Sequence, residues 1–284
     1  WHEDVSYDGN VLHVGDHEIK TFAERDPAQI PWGDVGADIV VESTGVFTSR
    51  DGAAAHIEGG AKKVIISAPG KGVDATFVYK VNHEDYDPEA HEIVSNASCT
   101  TNCIIPMVKV IQDNFGIASG YMTTVHAYTN DQSLLDAAHK DPRRARSAPN
   151  NIVPTSTGAA RTAGVIYPEL QGKVDGMSMR VPVADGSITD FVARISSEAS
   201  ADDVNAAFRS AADGELSDIL EYADAPLVSS DIVGNPAVSI PVEPFDGLPV
   251  GMQIVGRAFD EAMVLRVAQA YEQAAPWQRQ HPRL

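Results

Sequence analysis

Four short apolar runs in the first hundred residues constrain the fold most strongly. They are rich in Val and Ile, they are bounded by Gly, Pro, Asp or Asn, and they comprise ADIVVES (37–43), KKVIIS (62–67), FVYKV (77–81) and EIVSN (92–96). Such runs are typical of strands buried in a parallel sheet. Between the first two, the sequence predicts a short helix over residues 50–61 that stops at a pair of glycines. This alternation indicates an α/β architecture.

The pattern changes after Cys99. A helix is predicted from Cys99 to Gly116, with a bend at Pro106. Strands of a more antiparallel sheet are predicted over residues 121–128, 177–184 and 187–195, and a long polar loop, 129–150, separates the first two. The stretch 201–216 predicts an amphipathic helix with Asp caps.

The charge balance limits the partners of this chain. It carries 40 acidic and 21 basic residues, a formal charge of −19, so nucleic acid and anionic membranes should repel it. We find no apolar run of eighteen residues and a polar N-terminus, which predict neither a transmembrane helix nor a secretory signal. With only two cysteines and no sign of export, a cytoplasmic location is predicted.

Both cysteines lie in one stretch, SNASCTTNC (95–103). A metal site needs three or four ligands, and a disulfide across one helical turn is geometrically awkward. Core packing is the common role of a free cysteine, and we interpret Cys103 that way. Cys99 differs because it follows a predicted strand and opens a predicted helix, where unpaired N–H groups and the macrodipole stabilise a thiolate. This position indicates a nucleophile.

A nucleophile needs a base, and His126 in the strand-like run VHAYT is the candidate. A lone histidine in a strand is more often structural, so the pairing with Cys99 carries the hypothesis. Arg180 lies within an apolar strand, where a guanidinium needs an anionic partner such as a phosphorylated substrate. Hydroxyl groups at Thr129 and Thr157 complete the candidate site.

Several strings together resemble the phosphorylating glyceraldehyde-3-phosphate dehydrogenase family over roughly residues 1–236. They are SNASCTTNC, TTVHAYTNDQ, HKDPRRAR, PTSTGAA, PELQGKVDGMSMRVPV and VSSDIVGNP, with ESTGVF and VIISAP from the cofactor domain. The resemblance implies a partial NAD(P)-binding domain over 1–98 and a catalytic domain over 99–236. The expected fold class is α/β, with an incomplete Rossmann-type cofactor domain followed by an α+β catalytic domain whose sheet is mostly antiparallel.

The resemblance also implies the chemistry. Cys99 adds to the aldehyde of glyceraldehyde 3-phosphate, His126 accepts and returns the proton, hydride passes to NAD or NADP, and inorganic phosphate attacks the resulting thioester. The implied binding residues are Thr129 and Arg180 for the substrate phosphate, Ser98, Thr100, Thr157 and Gly158 for inorganic phosphate, Arg144 between the two anions, and Thr44, Gly45 and Ser67 for the nicotinamide. A homo-oligomer, a tetramer in the family, is implied, with no metal, nucleic acid or membrane partner.

Two departures from the family pattern shape the remaining expectations. The first strand, glycine-rich turn and ribose-binding acid are not found, and neither is the C-terminal Asn that holds the nicotinamide, so weak NAD binding and impaired turnover are expected. The pair Ala137–Ala138 stands where NAD-specific members tend to have Leu-Pro, which predicts some use of NADP.

The tail resembles another family. Residues 234–278 resemble the C-terminal end of amidase-signature enzymes, the family of the amidotransferase A subunit. The chain is therefore expected to be chimeric, with an amidase-like strand and helix over 237–284. Two other functions stay open: an amidase-related fragment without its nucleophile, and a non-catalytic remnant that binds sugar phosphate.

Overall fold

The computed structural model describes residues 5–232, 237–245 and 248–255. The chain divides into two compact units, residues 1–30 with 230–284, and residues 31–229. A one-turn helix at Ser229–Ile232 lies at the boundary between them in the chain. The predicted candidate residues all belong to the second unit.

The first unit contains two antiparallel elements. Strands β1 (Val5–Asp8), β2 (Val11–Val14) and β3 (His17–Lys20) form a meander. Its two-residue turns place Gly9 and Gly15 at φ of 62° and 56°, which glycine adopts without steric cost. Near the other terminus, Ala237–Phe245 and Leu248–Val255 form a hairpin. This hairpin lies within the tail over 237–284, for which a strand and a helix are predicted, and residues 256–284 lie outside the described residues.

The second unit begins with a parallel sheet. Its elements are β4 (Ile39–Glu42), helix α1 (Arg50–Glu58), β5 (Lys63–Ile66), β6 (Ala75–Thr76) and β7 (Ile93–Ser95), and the strand order is β4-β5-β7-β6. Helix α1 is capped by the Ser49 hydroxyl, which accepts from Gly52 N–H, and it stops at the predicted glycines. Its core with the sheet consists of fully buried Ala53, Val64, Ile66 and Ile93.

Three of the four predicted strands are confirmed, and the one over 77–81 is wrong. The chain leaves the sheet after Thr76 because the Asn82 side chain closes a turn there. Its Oδ1 accepts from Val78 N–H at 2.8 Å, and its amide donates to the Thr76 carbonyl at 3.0 Å. Lys80 then adopts a left-handed φ of 59°, which no strand accommodates.

The remainder of this unit is a mixed sheet with helices. It comprises α2 (Cys99–Phe115), β8 (Ile117–Ala127), β9 (Val153–Ser156), α3 (Ala163–Ile166), β10 (Val174–Val181), β11 (Ser187–Ile195) and α4 (Ala201–Asp213). Short 3-10 turns occupy residues 83–85, 148–150, 160–162 and 168–170 of this unit, and residues 27–29 form one in the first unit. The strand order is β11-β8-β10-β9, in which only β8 and β10 are parallel neighbours. The expected α/β class with a mostly antiparallel second sheet is confirmed.

Helix α2 forms the centre of the main core. It ends at Gly116, as predicted, and it packs a fully buried face that includes Ile104, Ile105 and Val108 against Met122 of β8. Burying three such side chains contributes on the order of 5–9 kcal/mol before the loss of chain entropy. This packing fixes where the first turn of α2 meets the sheet.

Helix α4 begins differently from the prediction. Its cap is Ser200, whose hydroxyl accepts from Asp203 N–H, while the Asp203 carboxylate accepts from Ser200 N–H. This reciprocal capping box stabilises the start of α4, where the sequence had predicted aspartate caps.

In the described ranges no helix combines the length and apolar character needed to cross a membrane. Among the same residues, no three His, Cys, Asp or Glu side chains are grouped so that they could hold a metal ion.

Candidate functional site

The chain turns from β7 into α2 over three residues, and Cys99 is the first residue of the helix. Ser98 caps the helix, since its hydroxyl accepts from Thr101 N–H at 3.1 Å and lies 2.8 Å from Thr101 Oγ1. The thiol therefore sits where the N–H groups of the first helical turn create a positive potential. Strand β8 ends beside it, with His126 as the second-last residue of the strand.

Cys99 and His126 form a hydrogen-bonded pair. The distance from Cys99 Sγ to His126 Nε2 is 3.3 Å. This hydrogen bond and the imidazole charge, with help from Thr100, lower the pKa of the Cys99 thiol to about 7, although burial alone would raise it. The same bond raises the pKa of His126 against the opposing effects of burial and the Arg180 charge. Both shifts favour a thiolate–imidazolium pair near neutral pH.

The second ring nitrogen of His126 has two neighbours. Nδ1 lies 2.8 Å from the Ala127 carbonyl oxygen and 2.9 Å from Arg180 Nη1. A carbonyl only accepts and a guanidinium only donates, so the two contacts require different protonation states of Nδ1. In the imidazolium, Nδ1–H donates to Ala127, and Arg180 donates to the same carbonyl at 3.1 Å. In the neutral ring with its proton on Nε2, Nδ1 accepts from Arg180. The surroundings therefore accommodate both states of a proton carrier.

Arg180 occupies the position on β10 that pairs with His126 on the parallel neighbour β8. In the described part of the chain, no carboxylate lies within 4.0 Å of its guanidinium. Burial, followed by the like charge of Arg144, lowers its pKa. A half-buried guanidinium beside a second one is an arrangement that an anion would stabilise.

Arg144 already has partners. Its Nε and Nη2 donate to the hydroxyl of Thr155 at 3.0 and 2.7 Å, and its Nη1 pairs with Asp131. Burial would raise the pKa of the Asp131 carboxyl, but the Arg144 charge and hydrogen bond lower it. Asp131 and Thr155 were missed from the sequence. The acid in the string TNDQ, two residues after Thr129, was the available signal.

The remaining phosphate candidates lie around this centre, and one of them, Thr100, hydrogen-bonds the Cys99 thiol. Thr129 follows β8 by two residues and is half-buried, and Thr100 is buried in the first turn of α2. Thr157 and Gly158 follow β9 at the end away from Arg180, because Ser156 pairs with Met177 whereas Arg180 pairs with Val153. Gly158 is exposed, and no atom lies within 4 Å of the position that a Cβ would take.

The cofactor candidates meet at one edge of the parallel sheet. Thr44 and Gly45 follow the carboxyl end of β4, and Ser67 follows that of β5. Ser67 donates from its N–H and its hydroxyl to the Glu42 carbonyl at 3.0 and 3.3 Å. All three residues are exposed, and Gly45 has a φ of 75° with open space where a Cβ would stand. Ligands of open α/β sheets bind at this edge, so the three residues fit a cofactor.

A buried network supports this edge, and no pattern in the sequence indicates it. The Glu42 carboxylate, 2% exposed, accepts from Thr44 N–H at 2.7 Å and from the Thr44 hydroxyl at 2.5 Å. It also accepts from His56 Nε2 at 2.8 Å, and Trp32 Nε1 donates to His56 Nδ1 at 3.2 Å. The Thr44 N–H and hydroxyl therefore both point inward to this network.

The interpretation of Cys103 as a core residue is wrong. Its side chain is exposed, one helical turn after Cys99. The buried face of α2 runs through Thr101, Ile104, Ile105 and Val108, and this phase turns position 103 to solvent. Cys103 is therefore an accessible thiol and not part of the packing.

Most of the chain is similar to known proteins. A family model described as "Glyceraldehyde 3-phosphate dehydrogenase, C-terminal domain" matches residues 98–246, and one described as "Glyceraldehyde 3-phosphate dehydrogenase, NAD binding domain" matches residues 1–50. Glyceraldehyde-3-phosphate dehydrogenase 2 of Streptomyces avermitilis is 56% identical over 234 residues, which are 82% of this chain and 70% of that protein. The chain belongs to the glyceraldehyde-3-phosphate dehydrogenase family.

Other members of the glyceraldehyde-3-phosphate dehydrogenase family are equally similar. The Geobacillus stearothermophilus enzyme and glyceraldehyde-3-phosphate dehydrogenase 1 of Bacillus subtilis are each 56% identical over 232 residues, 82% of this chain and 69% of theirs. The Cys99–His126 pair lies within the matched C-terminal domain. That match continues to residue 246, ten residues beyond the end of the resemblance expected from the motifs.

Proposed function

We propose that this chain oxidises glyceraldehyde 3-phosphate to an acyl phosphate, with inorganic phosphate as the second substrate and NAD or NADP as the hydride acceptor. The observation that carries the proposal is the 3.3 Å contact between Cys99 Sγ and His126 Nε2 at the start of α2. A thiol with a pKa of about 7 is about half thiolate at neutral pH, and the neighbouring imidazole is a ready proton carrier. Both matching family models describe domains of this dehydrogenase, so the amidase-related alternative is not favoured.

The reaction begins at the thiol. The Cys99 thiolate attacks the aldehyde carbon, a C–S bond forms, and the carbonyl oxygen takes a proton from the His126 imidazolium to give a hemithioacetal. His126 then accepts the hydroxyl proton as the carbon loses hydride and becomes a thioester carbonyl. When bound, oxidised NAD(P) supplies the hydride acceptor for this step. A phosphate oxygen finally attacks the thioester and the C–S bond breaks. The acyl phosphate departs, and the Cys99 thiolate is regenerated.

Sulfur suits this series of reaction steps because a thioester remains reactive toward phosphate. His126 serves in both directions, since the contacts of its Nδ1 with Ala127 and Arg180 accommodate the charged and the neutral ring. A positioned acid–base group of this kind contributes about 10²–10⁴ in rate.

The two arginines are proposed to hold the phosphate groups. Arg180 binds the substrate phosphate together with Thr129, which is supported by the absence of an acidic partner among the described residues. Arg144 lies between the two anions, where Asp131 and Thr155 fix its orientation. The proposed ligands of inorganic phosphate are Ser98, Thr100, Thr157 and Gly158.

The cofactor is proposed to bind at the edge formed by Thr44, Gly45 and Ser67. Their exposure at the carboxyl ends of adjacent parallel strands supports this position. The small pair Ala137–Ala138 leaves room for a 2′-phosphate, so the proposal includes NADP as well as NAD.

Self-association is a further part of the proposal. The outer face of the mixed sheet exposes apolar side chains on paired positions of β8 and β11, including Tyr121, Ile188 and Val192, which is 65% exposed. Clustered exposed apolar side chains are typical of interaction surfaces. We expect a homo-oligomer, the family tetramer, and sedimentation of a Val192→Asp variant as a smaller species would support this face as the interface.

Three predictions remain from the sequence alone. We propose domain boundaries at residues 98 and 236, because the strings that resemble each domain lie on either side of them. We also propose an amidase-like tail over 237–284, on the resemblance of residues 234–278. A cytoplasmic location is proposed from the two free cysteines, because exposed thiols persist in a reducing compartment.

The test measures reduction of NAD and NADP with glyceraldehyde 3-phosphate in the presence and absence of inorganic phosphate. The matched variants are Cys99→Ser and Cys103→Ser, which remove thiols one helical turn apart. Phosphate-dependent reduction that is lost only in Cys99→Ser supports the proposal. Equal loss in both variants, or turnover that persists in Cys99→Ser, overturns the assignment of the nucleophile.

A further inference from the structure

The turn that delivers Cys99 has an unusual backbone. Ala97, two residues before the thiol, has a φ of 56°. This left-handed conformation costs a residue with a Cβ on the order of 1–2 kcal/mol, and non-glycine residues keep it only where the surroundings hold it. Ala97 is buried, with 3% of its surface exposed. Neighbouring groups must therefore hold the turn in place.

The hydroxyl of Ser95 is one of these groups. Ser95 is the last residue of β7 and is completely buried. Its Oγ accepts from Ala97 N–H at 2.9 Å and from Gly70 N–H at 3.1 Å, and it donates to the Ala68 carbonyl at 2.7 Å. A serine hydroxyl has one proton and two lone pairs, so its whole hydrogen-bonding capacity is used here.

The Asn102 side chain holds the same turn from the helix side. Asn102 lies in the first turn of α2, and its amide nitrogen donates to the carbonyls of Asn96 at 2.8 Å and Ser98 at 2.9 Å. These carbonyls flank Ala97. The Ser95 hydroxyl thus ties the turn to the sheet through Ala97 N–H, and the Asn102 amide ties it to the helix through the two carbonyls.

The Ser95 hydroxyl also joins two parts of the site. The loop that it contacts, 68–70, directly follows Ser67 on the cofactor edge. A Cβ on Gly70 would lie 2.9 Å from the Ser95 Cβ, so the two backbones approach as closely as they do only because residue 70 is glycine. One hydroxyl therefore connects the cofactor loop with the cysteine turn.

We propose that Ser95 and Asn102 are positioning residues for the nucleophile: together they hold Ala97 in its left-handed conformation and so place Cys99 Sγ against His126. This inference rests on the proposed function, since it assigns Cys99 as the nucleophile. Without the hydroxyl, Ala97 regains a negative φ, Cys99 moves, and the short contact with His126 is lost. Neither residue touches the reacting atoms, so their effect passes through the thiol.

The experiment uses the full chain carrying Cys103→Ser, so that Cys99 is its one thiol. The rate of alkylation by iodoacetamide, in which a C–S bond forms and iodide leaves, is measured from about pH 5 to about pH 9. The variants are Ser95→Ala and Asn102→Ala. The control is Ser200→Ala, which removes the cap of α4, with thermal unfolding recorded for every protein.

We expect the alkylation midpoint of Ser95→Ala to rise by about one pH unit or more, with a rate at pH 7 that is lower by roughly fivefold or more. Asn102→Ala should shift in the same direction. Ser200→Ala should lose stability without any shift in the midpoint. Adding Ala97→Gly to Ser95→Ala should recover part of the lost rate, because glycine adopts the left-handed conformation without the Cβ penalty.

The outcomes distinguish failure of the proposed function from failure of the positioning role alone. If the parent already shows the midpoint of an ordinary thiol, the proposed function fails. If the parent is reactive near pH 7 and both Ser95→Ala and Asn102→Ala keep its midpoint, only the positioning role is overturned. A Ser95→Ala protein that does not fold leaves the decision to Asn102→Ala, whose side chain is partly exposed.

Discussion

Arg180 and His126 occupy paired positions on parallel strands, and Arg180 Nη1 lies 2.9 Å from His126 Nδ1. The guanidinium thus touches the imidazole on the side opposite the thiol. Its charge lowers the pKa of His126, against the stronger raising effect of the Cys99 hydrogen bond. A residue proposed to bind the substrate phosphate is therefore also in contact with the proposed base.

Replacing Arg180 by Leu should separate these two effects. A charge-assisted hydrogen bond to phosphate contributes about 1.5–3 kcal/mol, so KM for glyceraldehyde 3-phosphate should rise tenfold or more. KM for an unphosphorylated aldehyde should change far less. Steady-state kinetics with both aldehydes would measure this.

The control for that measurement is Arg143→Leu. Arg143 is an exposed neighbour of Arg144 in the same loop, and its replacement changes the net charge equally. Equal losses for both aldehydes in Arg180→Leu would contradict the phosphate role, and an equal effect of Arg143→Leu would reduce it to general electrostatics.

Alkylation of Cys99 should depend on pH with a midpoint near 7. The thiolate is the reactive form, and the His126 hydrogen bond lowers the thiol pKa to about 7. Reactivity should therefore fall as the pH drops below this value and level off above it. Iodoacetamide kinetics on the Cys103→Ser protein would give the profile, and a midpoint near 8.5, roughly the ordinary thiol value, would show that the pair does not form in solution.

His126→Asn should shift that midpoint upward. Asparagine is shorter than histidine and carries no charge, so both the His126 hydrogen bond, the largest cause of the lowered thiol pKa, and the imidazole charge are removed. We expect a rise of about one to two pH units and a loss of about 10² or more in turnover. His139→Asn is a suitable comparison because the hydrogen bonds of His139 are with Asp131 and the Asp141 backbone and not with Cys99. An alkylation midpoint that stays near 7 in His126→Asn, together with lost turnover, would mean that His126 acts only as a proton carrier.

The sequence predicted the parts of this molecule that depend on local pattern. The helix start at Cys99 and its end at Gly116 follow from capping and glycine, and three strands of the parallel sheet follow from their Val and Ile runs. The prediction that His126 lies in a strand is confirmed, and its place near the end of β8 is a finding of the structure.

The errors arose where distant groups decide the structure. The run FVYKV has the composition of a strand, but the Asn82 side chain closes a turn over it. Cysteine is common at core positions, but the helix phase set by Ile104 and Ile105 turns Cys103 outward. Asp131 and Thr155 were missed because their importance emerges only when Arg144 folds against both.

The buried acid Glu42 gives the most stringent test of the cofactor edge. Trp32 Nε1 can only donate, so His56 Nδ1 must accept from it and the ring proton must lie on Nε2. That proton is donated to Glu42, which also accepts two hydrogen bonds from Thr44. The carboxylate therefore meets donors at both oxygens.

Glu42→Gln keeps the shape of this side chain but replaces one acceptor by an NH₂ donor. If the amide oxygen faces Thr44, the NH₂ group meets the His56 Nε2 proton, and His56 cannot move that proton to Nδ1 without losing the Trp32 hydrogen bond. An unsatisfied buried polar group costs about 1–3 kcal/mol, so urea unfolding should show a loss of this size. In the alternative orientation the NH₂ group faces Thr44, so the Thr44 N–H loses its acceptor. The turn at Thr44 is then no longer held, and KM for NAD should rise. Glu58→Gln, at an exposed acid on α1, the helix that carries His56, should change neither quantity. Unchanged stability and unchanged KM in Glu42→Gln would show that the carboxylate does not support the cofactor edge.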